Sequence, residues 1–225
     1  MDVQDPASIR DCVQDIVQAH GKIDLLVNNA GSGYLATLEE TSDAALASVM
    51  DVNFFGVWRV TQAVFPLMRA AGAGRIVTIT SIGGLIGQPF NDAYCAAKFA
   101  VEGFMESLVP VAQRMGVQVV LVEPGPVNTE FVASVRSKAQ ASGTDLEAYR
   151  PLREAYLAAA AQAFASIGQT GSDIANITAD AADAADAKTP HFCYATSDMI
   201  GALVGRKYVD PTGDSILALV GARLP

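Results

Sequence analysis

The sequence contains few of the residues that bind metals or form disulfide bonds. It has three cysteines and two histidines in 225 residues. Cys12, Cys95 and Cys193 lie far apart, with no CxxC pair among them. Zinc sites and disulfide frameworks need such residues at close and regular spacing. We therefore predict neither a metal site nor a disulfide framework.

Charged residues are also scarce, and their balance is acidic. They make up 17% of the chain and give a net charge of -9, whereas 51% of the residues are hydrophobic. A surface that binds nucleic acid needs positive charge, so we predict no nucleic-acid partner. No apolar run reaches the ~18 residues of a membrane span, and no secretory signal opens the chain. We expect a soluble, cytoplasmic protein with large buried interfaces between subunits.

Short β-rich runs alternate with helical patterns along the chain, which predicts parallel α/β layers in one domain of residues 1–225. Residues 126–150 have no clear period and are predicted to form a loop or lid within a substrate region, 126–170. The predicted strands cover residues 23–27, 76–80, 117–122 and 192–195. The predicted helices cover residues 6–21, 42–71, 92–115, 150–167 and 172–187, followed by a last helix and an irregular tail that contains Pro211-Thr212-Gly213.

Tyr94 and Lys98 stand four residues apart in the helix predicted over 92–115. At this spacing two side chains lie on one face of a helix, one turn apart. A free tyrosine titrates near pH ~10, and a neighbouring ammonium favours the tyrosinate and lowers that pKa. The pair can then donate a proton to a carbonyl oxygen or take one from an alcohol. The alternative is a chance spacing on an amphipathic helix.

Polar or glycine-containing segments follow three of the predicted strands. Asn28-Asn29-Ala30-Gly31 ends the first strand, Ser81 ends the second and Pro124-Gly125 ends the third. A doubly wound sheet binds its ligand beyond the carboxyl ends of its strands. We therefore predict that Ser81 holds a substrate carbonyl oxygen, and that Gly31 lets a ligand approach the backbone. The alternatives are a serine that only terminates a strand and a plain turn.

Asn53 lies inside the helix predicted over 42–71, where a polar amide is not preferred. It can bend the helix and hold a water molecule that continues a proton relay from Lys98. The alternative is an exposed asparagine, or a core asparagine whose hydrogen bonds are satisfied.

In combination, these motifs resemble the short-chain dehydrogenase/reductase family over about residues 1–130. The resemblance implies a Rossmann-like doubly wound parallel sheet and hydride transfer between NAD or NADP and an alcohol or carbonyl carbon of a small molecule. It implies Tyr94 as general acid/base, Lys98 as its partner, Ser81 on the substrate and Asn53 on the relay water. The residues implied to contact the cofactor are Asp2, Val3, Asn28, Asn29, Ala30, Gly31, Tyr94, Lys98, Pro124, Gly125, Val127 and Thr129.

Within the family, residues 81–95 and 210–213 are similar to estradiol 17-beta-dehydrogenase and retinol-dehydrogenase-like members. This similarity implies a fairly large apolar alcohol or ketone as substrate. The estrogen enzyme carries a steroid-recognising histidine in a segment that aligns with residues 156–164, where this chain has none. The resemblance therefore does not extend to steroid recognition of that kind.

The start of the chain departs from the family pattern. The family opens with a strand and a glycine-rich loop that holds the pyrophosphate at a helix N-terminus. This chain is predicted to keep family strands 4 to 7 and to lack strands 1 to 3, so the strand at 23–27 becomes an exposed edge. We expect either a start that was placed too late or a genuine fragment. The residues that select NAD or NADP belong to the missing part.

Two functions follow from these observations. The first is an NAD(P)-dependent oxidoreductase that uses the residues named above. The second is a non-catalytic remnant that acts only through subunit association. The helices near 42–71 and 92–115 form the usual oligomer interface in the family, so a homo-oligomer is expected in either case. A binding module of another α/β family is a third hypothesis, and the Ser81, Tyr94 and Lys98 pattern disfavours it.

Overall fold

The computed structural model describes residues 1–128, 146–183, 191–209, 212 and 214–222. No helix in this part of the chain is long and apolar enough to cross a membrane. The helices are α1 (Pro6–His20), α2 (Asp43–Met50), α3 (Gly56–Ala71), α4 (Asp92–Arg114), α5 (Arg150–Ile167), α6 (Gly171–Asp183), α7 (Asp198–Val209) and α8 (Asp214–Gly221). The strands are β1 (Leu25–Asn28), β2 (Gly74–Ile79), β3 (Val117–Glu123), β4 (Val127–Asn128), β5 (Gln169–Thr170) and β6 (Cys193–Ala195).

The predicted alternation of strands and helices is confirmed, and two details differ. The tail predicted to be irregular contains α8, in which Asp214 occupies the first turn, where an acidic side chain is favourable. The region predicted as a loop or lid begins with β4, which pairs in parallel with β5. Most of that region, residues 129–145, lies outside the described residues, as does the end of the helix predicted to reach 187.

Four parallel strands in the order β1-β2-β3-β6 form the main sheet. The register places Leu26 beside Ile76, Ile76 beside Val119 and Leu121 beside Cys193. Because the strands are parallel, the ends of β1, β2 and β3 meet at one edge, where the sequence places its polar segments. The parallel, Rossmann-like architecture predicted from the sequence is thereby confirmed.

Helices α3 and α4 cover one face of the sheet, and α1 packs on α3. The core between these layers is built from long apolar side chains that are fully buried. They include Met68 on α3, Met105 on α4, Ile76 on β2 and Leu121 on β3. This packing fixes α4, which carries Tyr94 and Lys98, against the central strands.

Helix α6 covers the opposite face over β2 and β3. Val77, Val120 and Val122 pack there against Ala181. The buried Arg75 donates from Nη1 to the Ala181 carbonyl oxygen at 3.0 Å and also to the Ala182 carbonyl oxygen. A cation is favourable at the last turn of a helix, so this contact ties α6 to the sheet.

Strand β1 is an edge of the described sheet and pairs with β2 alone. On the face that α6 covers elsewhere, Leu25 is 44% exposed and Val27 is 40% exposed. The described residues before β1 form α1 and no strand. The edge position and the exposed apolar side chains predicted for this strand are confirmed, and such an edge is a template for pairing with another chain.

Replacing Val27 with lysine should reduce self-association, because the charge opposes pairing of another strand with β1. The free energy of unfolding should change by less than about 0.5 kcal/mol, since the position is exposed. Light scattering and urea unfolding measure the two quantities.

Val77 is the matched control, because it is the register partner of Val27 and is fully buried. Val77→Lys should prevent folding, since it buries an unpaired charge. If Val27→Lys left the particle size distribution unchanged, the β1 edge would not be the surface that drives association.

Candidate active site

Lys98 is held inside the protein by the packing of α4 on the sheet. The side chain is 5% exposed, and its Nζ donates to the carbonyl oxygen of Ile79 at 3.1 Å. Ile79 is the last residue of β2, so Lys98 joins α4 to the carboxyl end of that strand. Burial lowers the pKa of Lys98 to about 8, and the nearby Glu102 carboxylate acts in the opposite direction.

Ser81 and Tyr94 face each other across Gly83. The Ser81 Oγ accepts from the Gly83 N–H at 3.0 Å, which caps the 3-10 turn Ile82–Gly84. A β-carbon placed on Gly83 would lie 3.2 Å from Cε1 of Tyr94 and 3.4 Å from Ser81 Oγ. The absence of a side chain at Gly83 therefore lets the tyrosine ring and the serine hydroxyl share one small space.

The pKa of Tyr94 is raised, whereas the sequence analysis predicted a lowered value. Burial raises it to about 12, although a hydrogen bond with Ser81 acts in the opposite direction. The Lys98 Nζ lies 5.9 Å from the centre of the Tyr94 ring. The prediction was wrong for the chain on its own because desolvation of the tyrosinate dominates at this site.

Asn53 lies in a π-helical turn, Asp51–Phe55, between α2 and α3. The predicted irregularity of the helix at Asn53 is thus confirmed. The side chain is fully buried, and Nδ2 donates to the carbonyl oxygens of Ser32 at 2.8 Å and Val49 at 3.0 Å. Its Oδ1 accepts from the Ser32 N–H at 3.1 Å. Asn53 therefore holds the loop after β1, and its role in binding a relay water stays a prediction.

The loop after β1 lies beside Lys98 and Asn53. A β-carbon on Gly31 would lie 3.0 Å from Asn53 Oδ1 and 3.8 Å from Lys98 Nζ, so a side chain there would fill the space next to the lysine. Asn29 and Ala30 are exposed. Asn28 differs from its neighbours, because it is buried and donates to Thr61 Oγ1 at 3.1 Å and Thr78 Oγ1 at 3.2 Å.

The buried Asn28 therefore joins β1 to α3 and β2, and it does not present its side chain to a ligand. Residues 29–31 offer their backbone at the carboxyl edge of the sheet. This is the arrangement that a bound ligand needs at that edge.

The segment predicted after the third strand is placed near the same edge. Pro124 accepts at its carbonyl oxygen from the Ile82 N–H at 2.9 Å, which joins it to the Ser81 loop. A β-carbon on Gly125 would lie 2.7 Å from Ile200 Cδ1, so Gly125 packs against α7. Val127 pairs with Gln169. Thr129 lies outside the described residues.

Asp2 and Val3 lie at the amino end of α3. Val3 Cγ2 lies 2.8 Å from the position that a β-carbon on Gly56 would take. Asp2 is exposed, and its Oδ1 accepts from the Gln4 N–H at 2.9 Å. The structure brings Val3 to the helix that continues from the Asn53 turn.

Sequence reasoning missed a buried carboxyl group next to the lysine. Glu102 follows Lys98 by four residues on α4, so the same spacing that singled out Tyr94 could have found it. Burial raises the pKa of Glu102 to about 7, and the neighbouring Lys98 charge lowers it in part. Glu123, at the end of β3, is 3% exposed, and burial raises its pKa too.

Removing the Asn53 side chain should destabilise the protein by about 1–3 kcal/mol, because Asn53→Ala takes the partners of its fully buried amide from the half-buried backbone groups of Ser32 and from the Val49 carbonyl oxygen. Urea unfolding measures the loss. Asn128→Ala is the matched control, because Asn128 is exposed and its Nδ2 donates to the Phe164 carbonyl oxygen alone at 3.2 Å. Equal losses in the two variants would show that the bonds from Asn53 to the loop stabilise the protein no more than an exposed hydrogen bond does.

Comparison with known proteins places the chain in a family. Residues 1–140 match the short chain dehydrogenase family. Over 216 residues the chain is 38% identical to retinol dehydrogenase 8 of Bos taurus, and this match covers 95% of this chain and 68% of that protein. Over 217 residues it is 36% identical to human 17-beta-hydroxysteroid dehydrogenase type 1, with 96% and 64% covered.

Human retinol dehydrogenase 8 is 44% identical over 177 residues, which is 56% of its length. The matches thus span between about half and two thirds of these relatives. A crystal structure of a short chain dehydrogenase/reductase from Burkholderia phymatum in complex with NAD superposes with a TM-score of 0.76 at 30% identity, covering 93% of this chain and 74% of that one. The chain therefore belongs to the short-chain dehydrogenase/reductase family.

Proposed function

We propose that the protein is an NAD(P)-dependent oxidoreductase that interconverts an alcohol and a ketone or aldehyde. The observation that supports this most directly is the convergence of Ser81, Tyr94 and Lys98 at the carboxyl edge of the sheet. Ser81 and Tyr94 share the space over Gly83, and Lys98 lies one helical turn away with its ammonium buried. A hydroxyl that binds an oxygen, beside an acid that protonates it, suits carbonyl chemistry.

In the direction of reduction, Ser81 donates a hydrogen bond to the substrate carbonyl oxygen and Tyr94 donates its proton to that oxygen. With a pKa of about 12, Tyr94 is protonated at neutral pH and is ready to donate. In the direction of oxidation, Tyr94 takes the alcohol proton in its tyrosinate form. The same tyrosinate remains after reduction, and the Lys98 ammonium stabilises it in both cases. A positioned proton donor of this kind contributes about 10²- to 10⁴-fold to the rate.

The residues around Gly31 fit the nicotinamide part of a dinucleotide. A β-carbon at Gly31 would fill the space beside Lys98, and residues 29–31 are exposed there. We place Lys98, the backbone of residues 28–31, and Pro124, Gly125 and Val127 along this part of the cofactor, with Asp2 and Val3 toward the adenine. NAD or NADP supplies or accepts the hydride when it is bound.

The described residues offer fewer groups that could bind the pyrophosphate than groups that could bind the nicotinamide part. Those that precede β1 form α1, whose first turn is capped by the Asp5 carboxylate, which accepts from the Ala7 N–H at 2.9 Å. A glycine-rich strand-to-helix turn is absent from residues 1–24. The contacts proposed for the dinucleotide are therefore those at the nicotinamide, together with Asp2 and Val3 toward the adenine.

The proposed substrate is a fairly large apolar alcohol or ketone. The names of relatives indicate retinol and 17-beta-hydroxysteroids as their substrates. In this chain, Leu35, Phe90 and Tyr156 form a buried apolar cluster just before α4, with the two aromatic rings 5.5 Å apart. Phe90 has a φ of 62°, an unfavourable conformation for an aromatic residue that occurs most often at functional sites.

Tyr94→Phe should lower the turnover of retinol or estradiol by about 10²-fold or more, since it removes the proton that is transferred. Binding of NADH and NADPH, followed by nicotinamide fluorescence, should change much less than turnover, since Tyr94 is one of many residues predicted to contact the cofactor. Tyr194→Phe is the matched control, because Tyr194 packs on the face of the sheet opposite α4.

Two results would contradict this proposal. Undiminished turnover in Tyr94→Phe would reject Tyr94 as the acid. A folded wild-type chain that neither binds a nicotinamide dinucleotide nor turns over substrate would reject enzyme activity for the chain as written.

The second candidate function is subunit association without catalysis. Large aromatic side chains on the outer side of the Asn53 turn, α3 and α4 are exposed, including Phe55 (45%), Trp58 (43%) and Phe99 (39%). Trp58 also stacks on Phe104 of α4, with ring centres 4.5 Å apart. Such a patch typically marks a contact with another protein, so we propose a homo-oligomer through these helices, whether or not the chain is catalytic.

Trp58→Glu should reduce the particle mass toward that of a single chain, because it places a charge in the centre of this patch. Size-exclusion chromatography with light scattering measures the mass. Ile167→Glu is the control, because Ile167 is 45% exposed at the end of α5 and matches Trp58 in exposure. If Trp58→Glu kept the wild-type mass, association would use another surface.

A further inference from the structure

Glu102 continues the stripe of functional side chains on α4. Tyr94, Lys98 and Glu102 follow one another at four-residue steps, so each lies one turn beyond the last. The Glu102 side chain enters the space left by Gly84, where a β-carbon would lie 3.0 Å from its Cγ and 3.1 Å from its Oε1. Oε1 is buried, and a hydrogen bond from the Thr80 hydroxyl lowers the pKa of the Glu102 carboxyl in part.

A second carboxyl group and a thiol lie close to Glu102. The carboxyl oxygens of Glu102 and Glu123 and the Sγ of Cys193 lie within 4.8 Å of one another. The titratable groups that face Glu102 are Lys98 and Glu106 on α4, Glu123 on β3, Cys193 on β6, and Lys207 and Tyr208 on α7. Lys207 donates to the Leu85 carbonyl oxygen and lies over the Phe99 ring.

The charges of Lys98 and Glu102 depend on each other. Burial opposes both charged forms, lowering the pKa of Lys98 to about 8 and raising that of Glu102 to about 7. The Glu102 carboxylate raises the pKa of Lys98, and the Lys98 ammonium lowers that of Glu102. The Ile79 carbonyl oxygen that Lys98 bonds is a neutral dipole, so Glu102 supplies net negative charge one turn away.

We propose that Glu102 is a positioning residue whose carboxylate keeps Lys98 in the ammonium form that proton transfer by Tyr94 needs. Glu102 does not contact substrate in this role and acts through the lysine alone. The proposal rests on the oxidoreductase function proposed above. It assigns a purpose to a carboxyl group that is largely buried at a free-energy cost.

The sign of the effect follows from the charges. Removing the Glu102 carboxylate takes away the charge that raises the pKa of Lys98, so the pKa of the lysine falls further below its usual value. In Glu102→Gln the alkaline limb of kcat/KM should therefore move to lower pH, by roughly one pH unit. Glu102→Asp keeps the charge, so its alkaline limb should lie close to the wild-type pH. Glu106→Gln is the control, because Glu106 is exposed one turn further along α4.

A second measurement reports on Lys98 without needing activity. The pH dependence of acetylation by acetic anhydride, read from the Lys98 peptide by mass spectrometry, gives the titration of that amine. The exposed Lys22 serves as the internal reference. The Lys98 midpoint should fall by roughly one pH unit in Glu102→Gln and stay in place in Glu106→Gln.

The outcomes separate this inference from the proposed function. An unshifted Lys98 midpoint in folded Glu102→Gln overturns the role of Glu102, even if the enzyme is active. If the Lys98 midpoint is lowered in Glu102→Gln but the wild-type chain shows no turnover, the electrostatic role of Glu102 is supported and the proposed oxidoreductase function is rejected. If Glu102→Gln does not fold, Glu102→Ala decides, because it removes the carboxylate without placing an amide there: a Lys98 midpoint lowered by roughly one pH unit supports the role, and an unshifted midpoint overturns it.

Discussion

The rest of the site depends on the hydrogen bond that the buried ammonium of Lys98 donates to the sheet. This bond to the Ile79 carbonyl oxygen, at 3.1 Å, joins the middle of a face of α4 to the last residue of β2. The fully buried Ala97 and Val101 flank Lys98 on the helix and hold that face against the sheet. Because Ser81 stands two residues beyond Ile79, and Tyr94 one turn before Lys98, this contact sets the distance between serine and tyrosine.

A second constraint holds the other wall of the site. The π-helical turn gives Asn53 a fully buried position, from which its amide binds both backbone groups of Ser32. The loop after β1 is thereby held with Gly31 beside Lys98. Helix irregularities of this kind occur frequently at functional sites. In this chain the irregular turn points the Asn53 amide at Ser32, because a regular helix would place Asn53 one residue out of step with that loop.

Local patterns predicted much of this arrangement, and long-range burial determined the rest. Periodicity located the strands and α4, and the four-residue spacing of Tyr94 and Lys98 located the pair, because both signals are contained in short stretches. The direction of the Tyr94 pKa shift was mispredicted, because it depends on desolvation by groups that only the fold brings together. The four-residue spacing from Lys98 could have located Glu102, but only the fold shows its surroundings, which come from the distant Glu123 and Cys193. The side chain of Asn28 links β1 to β2 and α3, a role that no local pattern predicted, and the contact of its backbone with the cofactor stays a prediction.

The contacts that build the chemical part of the site are internal to β1, β2, α3 and α4. None of them uses α1 or the residues before it, so this geometry does not require a pyrophosphate site to be present. The proposed homo-oligomer uses the outer sides of α3 and α4, where Trp58 and Phe99 are exposed, whereas the site uses their inner sides. Proton transfer and the proposed association therefore depend on separate sets of contacts, whereas Lys98 is proposed to serve both proton transfer and the dinucleotide. It follows that weak dinucleotide binding would not by itself argue against the acid/base roles of Tyr94 and Lys98, and that association would not argue for them.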